Sequence, residues 1–418
     1  GFFLFISTPV IARLSHWGYI DLGMTFYTTA SLLALLRWRE QRESLLSLSL
    51  AALSLGFALA TKPSGLVGAL VISLLFLMVI VKPPRKSLEM ISRELALFGA
   101  CAALPFIPWL AKNWLQTGNP FYPLLSHLFS SYTAVRTSAP SFAGLGIFDK
   151  RELLYSEGFW QIVGLPLRIF FFGQDDKPQF FDGVLTPVLV LFLPWAFKGK
   201  WAEEKRLLGA FALLFLLYAL FLVDLRIRYI LPIVPALVVL AVYGVHNVYL
   251  GIKRPALLFA ALIGFSLWHT AYLWRYFRQA SPVAYLSGNE SRDAYLARRL
   301  PEYAALRYIN ENTAPTAKIY LLFIGRRAYY CEREYFHDGG DLPGYLLGAI
   351  RAAKKPDQIE QALKQKGITH LIVREDLLTE FLTQNLTPDQ AAIWNLFAQD
   401  RLTLLFRDRG YAVYRLHG

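Results

Sequence analysis

Four short stretches of this chain set residues capable of chemistry beside apolar runs. HWGYIDLGMTF carries His16 and Asp21, and ATKPSG carries Lys62. LAKNWLQTGNPFYP carries Lys112, Asn113, Asn119 and Tyr122, while VDLRIRYILPIVP carries Asp224, Arg226, Arg228 and Tyr229. Charges at the ends of hydrophobic spans are costly and so mark functional suspects. The set offers a carboxylate, several cations and several amides. Cations suit a phosphate, a carboxylate suits a metal or a hydroxyl that must lose its proton, and amides and aromatics suit sugar hydroxyls.

Each group also has a plainer reading. Asp21 suits the N-terminus of the following helix, where a carboxylate caps and meets the helix dipole. Lys62 and Arg228 can snorkel to lipid headgroups. Asp224 and Arg226 suit a local ion pair and are set aside. His16 suits the membrane interface, and GNPFYP suits a turn with aromatic anchors.

These residues are positioned by an unusually apolar chain. Of 418 residues 55% are hydrophobic and only 17% charged, with a mean hydropathy of +0.37. A soluble domain carries about a quarter charged residues, so lipid is the solvent implied for the first two thirds. Candidate spans are a short one at 1–10, then 20–37, 45–60, 64–81, 95–112, 184–197, 206–223, 229–250 and 256–276. That is eight complete spans after an incomplete first one. Several fall short of about twenty residues, which calls for tilt or kinks. The chain opens at Gly1 inside an apolar run with no Met and no signal peptide, so an upstream piece is expected.

The formal charge of +13 does not point to nucleic acid, because much of it lies in short clusters between apolar runs. Arg37, Arg39 and Arg42 form one cluster, and Lys82, Arg85, Lys86 and Arg93 a second. Lys198, Lys200, Lys205 and Arg206 form a third, and Lys253 with Arg254 a fourth. They alternate with connections poorer in Lys and Arg. The basic connections are expected in the cytoplasm, facing anionic lipid, and segments 11–20, 61–65, 113–183, 224–228 and 277–418 on the other side. Cys101 and Cys331 have no reason to pair, and no Cys/His cluster has zinc spacing.

The long connection 113–183 is rich in aromatics, Pro and Gly, which favours order at the membrane interface. After Tyr276 the composition changes, and 277–293 reads as a linker. PEYAALRYINEN then reads as an amphipathic helix, AKIYLLFIG as a buried strand and PDQIEQALKQKG as a helix stopped by Gly367. THLIV, RLTLLF and YAVYRL read as strands, giving a soluble α/β domain over 294–418.

YIDLGMTFYTTASLLALL, LATKPSG, NWLQTGNPFYPLL, FDGVLTPVLVLFLPW and RYILPIVPAL, in this order, resemble the membrane-embedded GT-C glycosyltransferases. The similarity runs over most of 1–276 and is closest to bacterial members related to protein O-mannosyltransferases and the lipid A aminoarabinose transferase. The resemblance implies a polytopic helical bundle in a bacterial inner membrane, with a periplasmic α/β domain following the spans. It implies a polyprenyl-phosphate sugar as donor and direct displacement at the anomeric carbon. An acidic residue or pair in the first outer loop, taken as base or metal site in relatives, would lie before Gly1. Asp21 matches the second acidic position, with a divalent metal (Mg, Mn or Zn) conceivable there, and Lys62 and Arg228 match positions near the donor phosphate.

The expected function is sugar transfer to a lipid, glycan or protein acceptor on the outer face, with Asp21 as the acid–base residue of this chain. Lys62, Arg228 and Tyr229 would bind the donor phosphate, and His16, Asn113, Asn119 and Tyr122 would line the substrate loop. The rival is a transporter or flippase for a lipid-linked or anionic solute. Against it stand the absence of an internal repeat and the gathering of polar residues at one membrane face.

Overall fold

The computed structural model describes residues 1–82, 87–122, 125, 128–129, 146–198, 203–220, 225–325, 327–338 and 343–417. The described residues up to Tyr276 form one compact unit and those from Phe277 a second.

The first unit is helical. It opens with α1 (Phe2–Ser7) and α2 (Pro9–Leu14), separated at Thr8, then α3 (Asp21–Glu40), α4 (Leu45–Thr61) and α5 (Gly65–Ile80). Arg37 and Arg39 fall in the last turn of α3 and Asp21 in its first, the arrangement the helix dipole favours. Ser44 accepts from the Ser47 amide at 3.3 Å and so caps α4. Next come α6 (Leu88–Ala103) and α7 (Ile107–Thr117), bent by 55° at a break next to Pro105. Gly118, at φ +68°, ends α7 in the left-handed conformation.

Beyond the described part of the long connection lie α8 (Ile147–Tyr155), α9 (Phe159–Val163) and α10 (Leu165–Phe171). Residues 184–197, expected as one span, instead hold two four-residue helices, α11 (Val188–Leu191) and α12 (Leu193–Ala196). Pro187 and Pro194 sit where a continuous helix would need their missing amides. The unit closes with α13 (Glu203–Leu220), a 3₁₀ stretch Ile227–Ile233 running into α14 (Val234–Gly251), and α15 (Pro255–Ala280).

By length and composition, the described residues supply fewer clear spans than the eight expected. Ile227–Gly251 and Pro255–Ala280 qualify alone, and the bent α6–α7 pair makes a third if counted as one broken span. Leu45–Thr61 and Gly65–Ile80 are apolar but shorter. The core of the bundle includes Trp38, Phe76, Phe98, Phe211 and Phe215, with Phe76 and Phe98 stacked at 4.3 Å. Ser31 donates to the Ala51 carbonyl at 2.7 Å and stitches α3 to α4. α14 meets the α11–α12 break at Gly244, where an added Cβ would lie 2.0 Å from the Phe192 carbonyl oxygen. α15 is peripheral, with 11% of its most apolar stretch buried in the protein.

The second unit is α/β. The stretch expected as a linker holds α16 (Val283–Leu286) and the start of α17 (Arg292–Arg299), whose first turn is capped by Ser291. Then follow α18 (Tyr303–Asn312), β1 (Lys318–Leu322), β2 (Glu334–Phe336), α19 (Gly344–Ala352), α20 (Pro356–Gln365), β3 (His370–Arg374), α21 (Glu375–Asn385), α22 (Pro388–Arg401), β4 (Leu402–Asp408) and β5 (Tyr411–Leu416). The sheet order is β2-β1-β3-β5-β4. β1 runs parallel to β2 and β3, while β5 is antiparallel to β3 and β4. Ile319 pairs with His370, and His370 in turn with Arg415.

The strands bury both faces. Tyr320 and Leu322 pack with Leu346, Ile350, Ile359 and Phe397 on one side. Ile319 and Leu321 pack with Leu306, Ile309 and Val413 on the other. Helices on both sides explain why KIYLL reads as a continuous apolar run, with no polar alternation.

Candidate functional site

Asp21 is the first residue of α3, and its side chain caps no backbone amide. It is instead buried, with 1% of its surface exposed, and its Oδ1 accepts from Lys62 Nζ at 2.9 Å. Lys62 closes α4 in extended backbone, which turns its side chain back across the start of α3. The ammonium also lies 4.8 Å from the centre of the Tyr229 ring. A cation over an aromatic face is attracted to the ring quadrupole.

Arg228 completes the group. Its guanidinium lies 4.6 Å from the Tyr19 ring and 5.2 Å from the Tyr229 ring, and its Nη2 donates to the Tyr229 hydroxyl at 3.4 Å. Asp21, Lys62, Arg228 and Tyr229 thus come together from three separate stretches of sequence, joined by Tyr19, which the sequence reading did not single out. Neither cation snorkels away from this group. Two polar atoms here are buried without a hydrogen-bond partner, Asp21 Oδ2 and Arg228 Nε. Buried polar groups are nearly always paired, so an open acceptor and an open donor within one such group mark a place for a ligand that offers both.

The other expected residues have different settings. Asn113 is buried on α7, and its Nδ2 donates to the carbonyls of Pro120 and Tyr122, both at 3.2 Å. Asn119 Oδ1 accepts from the Phe121 amide at 2.9 Å. These bonds close the turn after Gly118, so Asn113 and Asn119 shape the loop and Tyr122 supplies it with a carbonyl. His16 is exposed, 2.9 Å from the Ser15 hydroxyl, with its ring tilted against that of Tyr276 at 5.6 Å between centroids.

A charged network next to the site was missed altogether. Arg13, at the end of α2, is buried and pairs with Asp175 at 2.6 Å and Asp176 at 2.7 Å, with Asp182 at 3.6 Å. Arg226 pairs with Asp182 at 3.2 Å, while Asp224, its expected local partner, lies outside the described residues. Tyr272 donates to Asp175 from α15. An Asp-Asp pair some 160 positions from an arginine carries no spacing rule, so no sequence signal joins them. A second network, Arg151–Glu157 at 2.6 Å with Arg168 at 3.1 Å, holds α8 to α10. Burial alone would raise the Glu157 carboxyl, but hydrogen bonds from Arg151 and Arg168 outweigh it and hold it below its ordinary value.

One Asp21 oxygen is occupied by an ammonium, and the described residues contain no group of three or more His, Cys, Asp or Glu side chains placed to hold an ion. Cation binding needs several such ligands.

Residues 1–117, which carry Asp21 and Lys62, match the family model of the dolichyl-phosphate-mannose-protein mannosyltransferases. No curated protein matches the sequence. Among solved structures the chain is similar to the archaeal oligosaccharyltransferase AglB from Archaeoglobus fulgidus, described in complex with an inhibitory peptide and a dolichol-phosphate. The identity is 11% and the TM-score 0.45, over 93% of this chain and 57% of that one, so the chain spans little more than half the length of that relative.

Proposed function

We propose that the protein is a GT-C-like glycosyltransferase that moves a sugar from a polyprenyl-phosphate donor to a lipid, glycan or protein acceptor at the outer face of a bacterial inner membrane. The observation that carries this reading is the convergence of Asp21, Lys62, Arg228 and Tyr229, with Asp21 Oδ2 and Arg228 Nε left open. It is supported by the match of the segment bearing Asp21 and Lys62 to a family of lipid-linked sugar transferases.

In the reaction, the acceptor hydroxyl oxygen forms a bond to the anomeric carbon as the bond from that carbon to the phosphate oxygen breaks. The bonding pair leaves with the phosphate, and the hydroxyl proton goes to a carboxylate. Among the described residues of this group, Asp21 Oδ2 is the open acceptor placed to take that proton. Lys62 and Arg228 face the charge that develops on the phosphate, where fixed cations are most effective. A donor phosphate arriving at Lys62 competes with Asp21 for the ammonium and frees the carboxylate as it binds. The second unit positions the acceptor.

Membranes holding the full-length protein, supplied with radiolabelled polyprenyl-phosphate sugar, should yield glycosylated product. Label that crosses the bilayer with no new glycosidic bond would establish transport instead and overturn the proposal.

A further inference from the structure

Arg228 reaches the site from a 3₁₀ stretch, which is a weak support for a residue that must meet a phosphate in register. Two chains of contact fix it, and both start at Arg13. Along the first, Arg13 grips Asp175, Asp176 and Asp182, and Asp182 holds Arg226 through its other oxygen. The Ile227 amide donates to the Phe181 carbonyl at 2.8 Å, so the backbone just before Arg228 is bonded to the same acidic loop. Along the second, the Arg13 guanidinium lies 4.3 Å from the Trp17 ring, Trp17 stacks on Tyr19 at 5.6 Å, and Tyr19 lies against Arg228 at 4.6 Å. The two chains close a ring of contacts around the segment 13–21 that leads into Asp21.

The acidic loop has the marks of a constrained element. The Gln174 amide donates to Phe180, the Gly183 amide donates back to Gln174, and the Val10 amide on α2 donates to Val184. Asp176, Phe181 and Asp182 hold φ of +59°, +68° and +42°, conformations that residues with a Cβ avoid. Such strain persists only where surrounding contacts over-determine it, and it gathers at functional sites. Arg13 is 4% exposed and its planar fork reaches separate carboxylates with separate nitrogens, which a lysine cannot do.

We infer that Arg13 is a positioning residue for the transfer reaction: through the 174–183 loop and through Trp17 and Tyr19 it sets Arg228 and Tyr229 against Asp21 and Lys62. This rests on the proposed transferase reading. Its guanidinium is taken up by Asp175, Asp176, Asp182 and Trp17, so its effect is on where the Arg228 guanidinium stands.

The test measures polyprenyl-phosphate-sugar turnover by the full-length protein in membranes for wild type, Arg13→Ala, Arg13→Lys, Arg228→Ala and the Arg13→Ala/Arg228→Ala pair. A misplacement of about 1 Å costs roughly 100-fold, so Arg13→Ala should lose about that in kcat, with donor KM within about threefold of wild type. Arg13→Lys should recover only a small part of the loss. In the Arg228→Ala background, removing Arg13 should cost less than about threefold more, because the residue it positions is already gone. Where Arg13→Ala fails to fold, Asp182→Asn, which loosens the same junction and keeps Arg13 paired to Asp175 and Asp176, should give the same coupling to Arg228→Ala. Independent, additive losses, or a folded Arg13→Ala or Asp182→Asn with normal turnover, overturn the inference. Wild-type membranes that transfer no sugar overturn the transferase reading itself, an outcome the variants do not mimic.

Discussion

Lys62 Nζ donates to Asp21 Oδ1 at 2.9 Å, across the 41 positions that separate the end of α4 from the start of α3. The carboxylate of the pair is buried and the ammonium is partly exposed, so the two partners do not respond alike to removal.

Lys62→Ala leaves Asp21 as a buried charge without its partner and should destabilise the protein by about 3–5 kcal/mol. Asp21→Asn keeps an oxygen for Lys62 but cannot take a proton, so it should fold normally and lose roughly 10²–10⁴ in transfer rate. The pair Asp21→Asn/Lys62→Ala should regain stability without regaining activity. Thermal unfolding and turnover on the same preparations check this. A stable Asp21→Asn with most of its rate would remove Asp21 from the mechanism.

Topology is open to direct labelling. In a background with Cys101 and Cys331 changed to serine, a membrane-impermeant maleimide should reach Glu152→Cys and Lys366→Cys in intact cells. It should not reach Glu43→Cys or Lys253→Cys, which sit in the basic connections. Labelling at position 43 or 253 would reverse the orientation and take the proposed outer site with it.

Gly244→Ala should weaken the bundle. The new methyl would lie 2.0 Å from the Phe192 carbonyl oxygen, an atom of backbone that cannot rotate aside. Overpacking of this kind costs about 1–3 kcal/mol. Gly264→Ala on α15, where an added Cβ meets nothing within 4 Å, is the control and should leave thermal stability unchanged.

Asp338 should make the α/β unit pH-sensitive. Its Oδ2 accepts from the Tyr320 hydroxyl at 2.8 Å and the Tyr345 amide at 3.1 Å, while Oδ1 is buried without a partner. Burial pushes this carboxyl above its ordinary value despite those hydrogen bonds. A raised carboxyl stabilises the fold most below the ordinary carboxylate range and loses that contribution as pH rises through its raised value. Hydrogen exchange in β1 and α19 of the intact protein should therefore speed up over that interval beyond the intrinsic rate. Asp338→Asn should abolish the excess; an unchanged profile would show that Asp338 is not the source.

Much of the fold is legible in the sequence, because apolar patterning and end signals are local. The helix at Tyr303–Asn312, the helix before Gly367 and four of the five strands lie where their patterns put them. The gathering of Asp21, Lys62 and Arg228 was legible only as a shared membrane face, since charge alternation reports side and not distance. The pairing of Lys62 with Asp21 was not, because both were read as facing a ligand. Arg13 was hidden because its partners Asp175 and Asp182 are remote in sequence and carry no motif. The break at 184–197 was hidden by high hydropathy, although Pro187 and Pro194 were its visible cause.

Only 11% of the most apolar stretch of α15 is buried in the protein, and hydrocarbon is as good a neighbour for leucine as another helix is. Three polar contacts line one side of it. His269 meets the Ser7 hydroxyl at 3.1 Å, Tyr272 donates to Asp175, and the Tyr276 hydroxyl accepts from the Trp17 indole. The three positions step by three and then four residues, which aligns them along a single stripe of the helix. A helix held by a seam of this kind is fixed in rotation but free along the rest of its circumference. The seam therefore sets which side of α15 meets the protein and leaves its other sides for lipid.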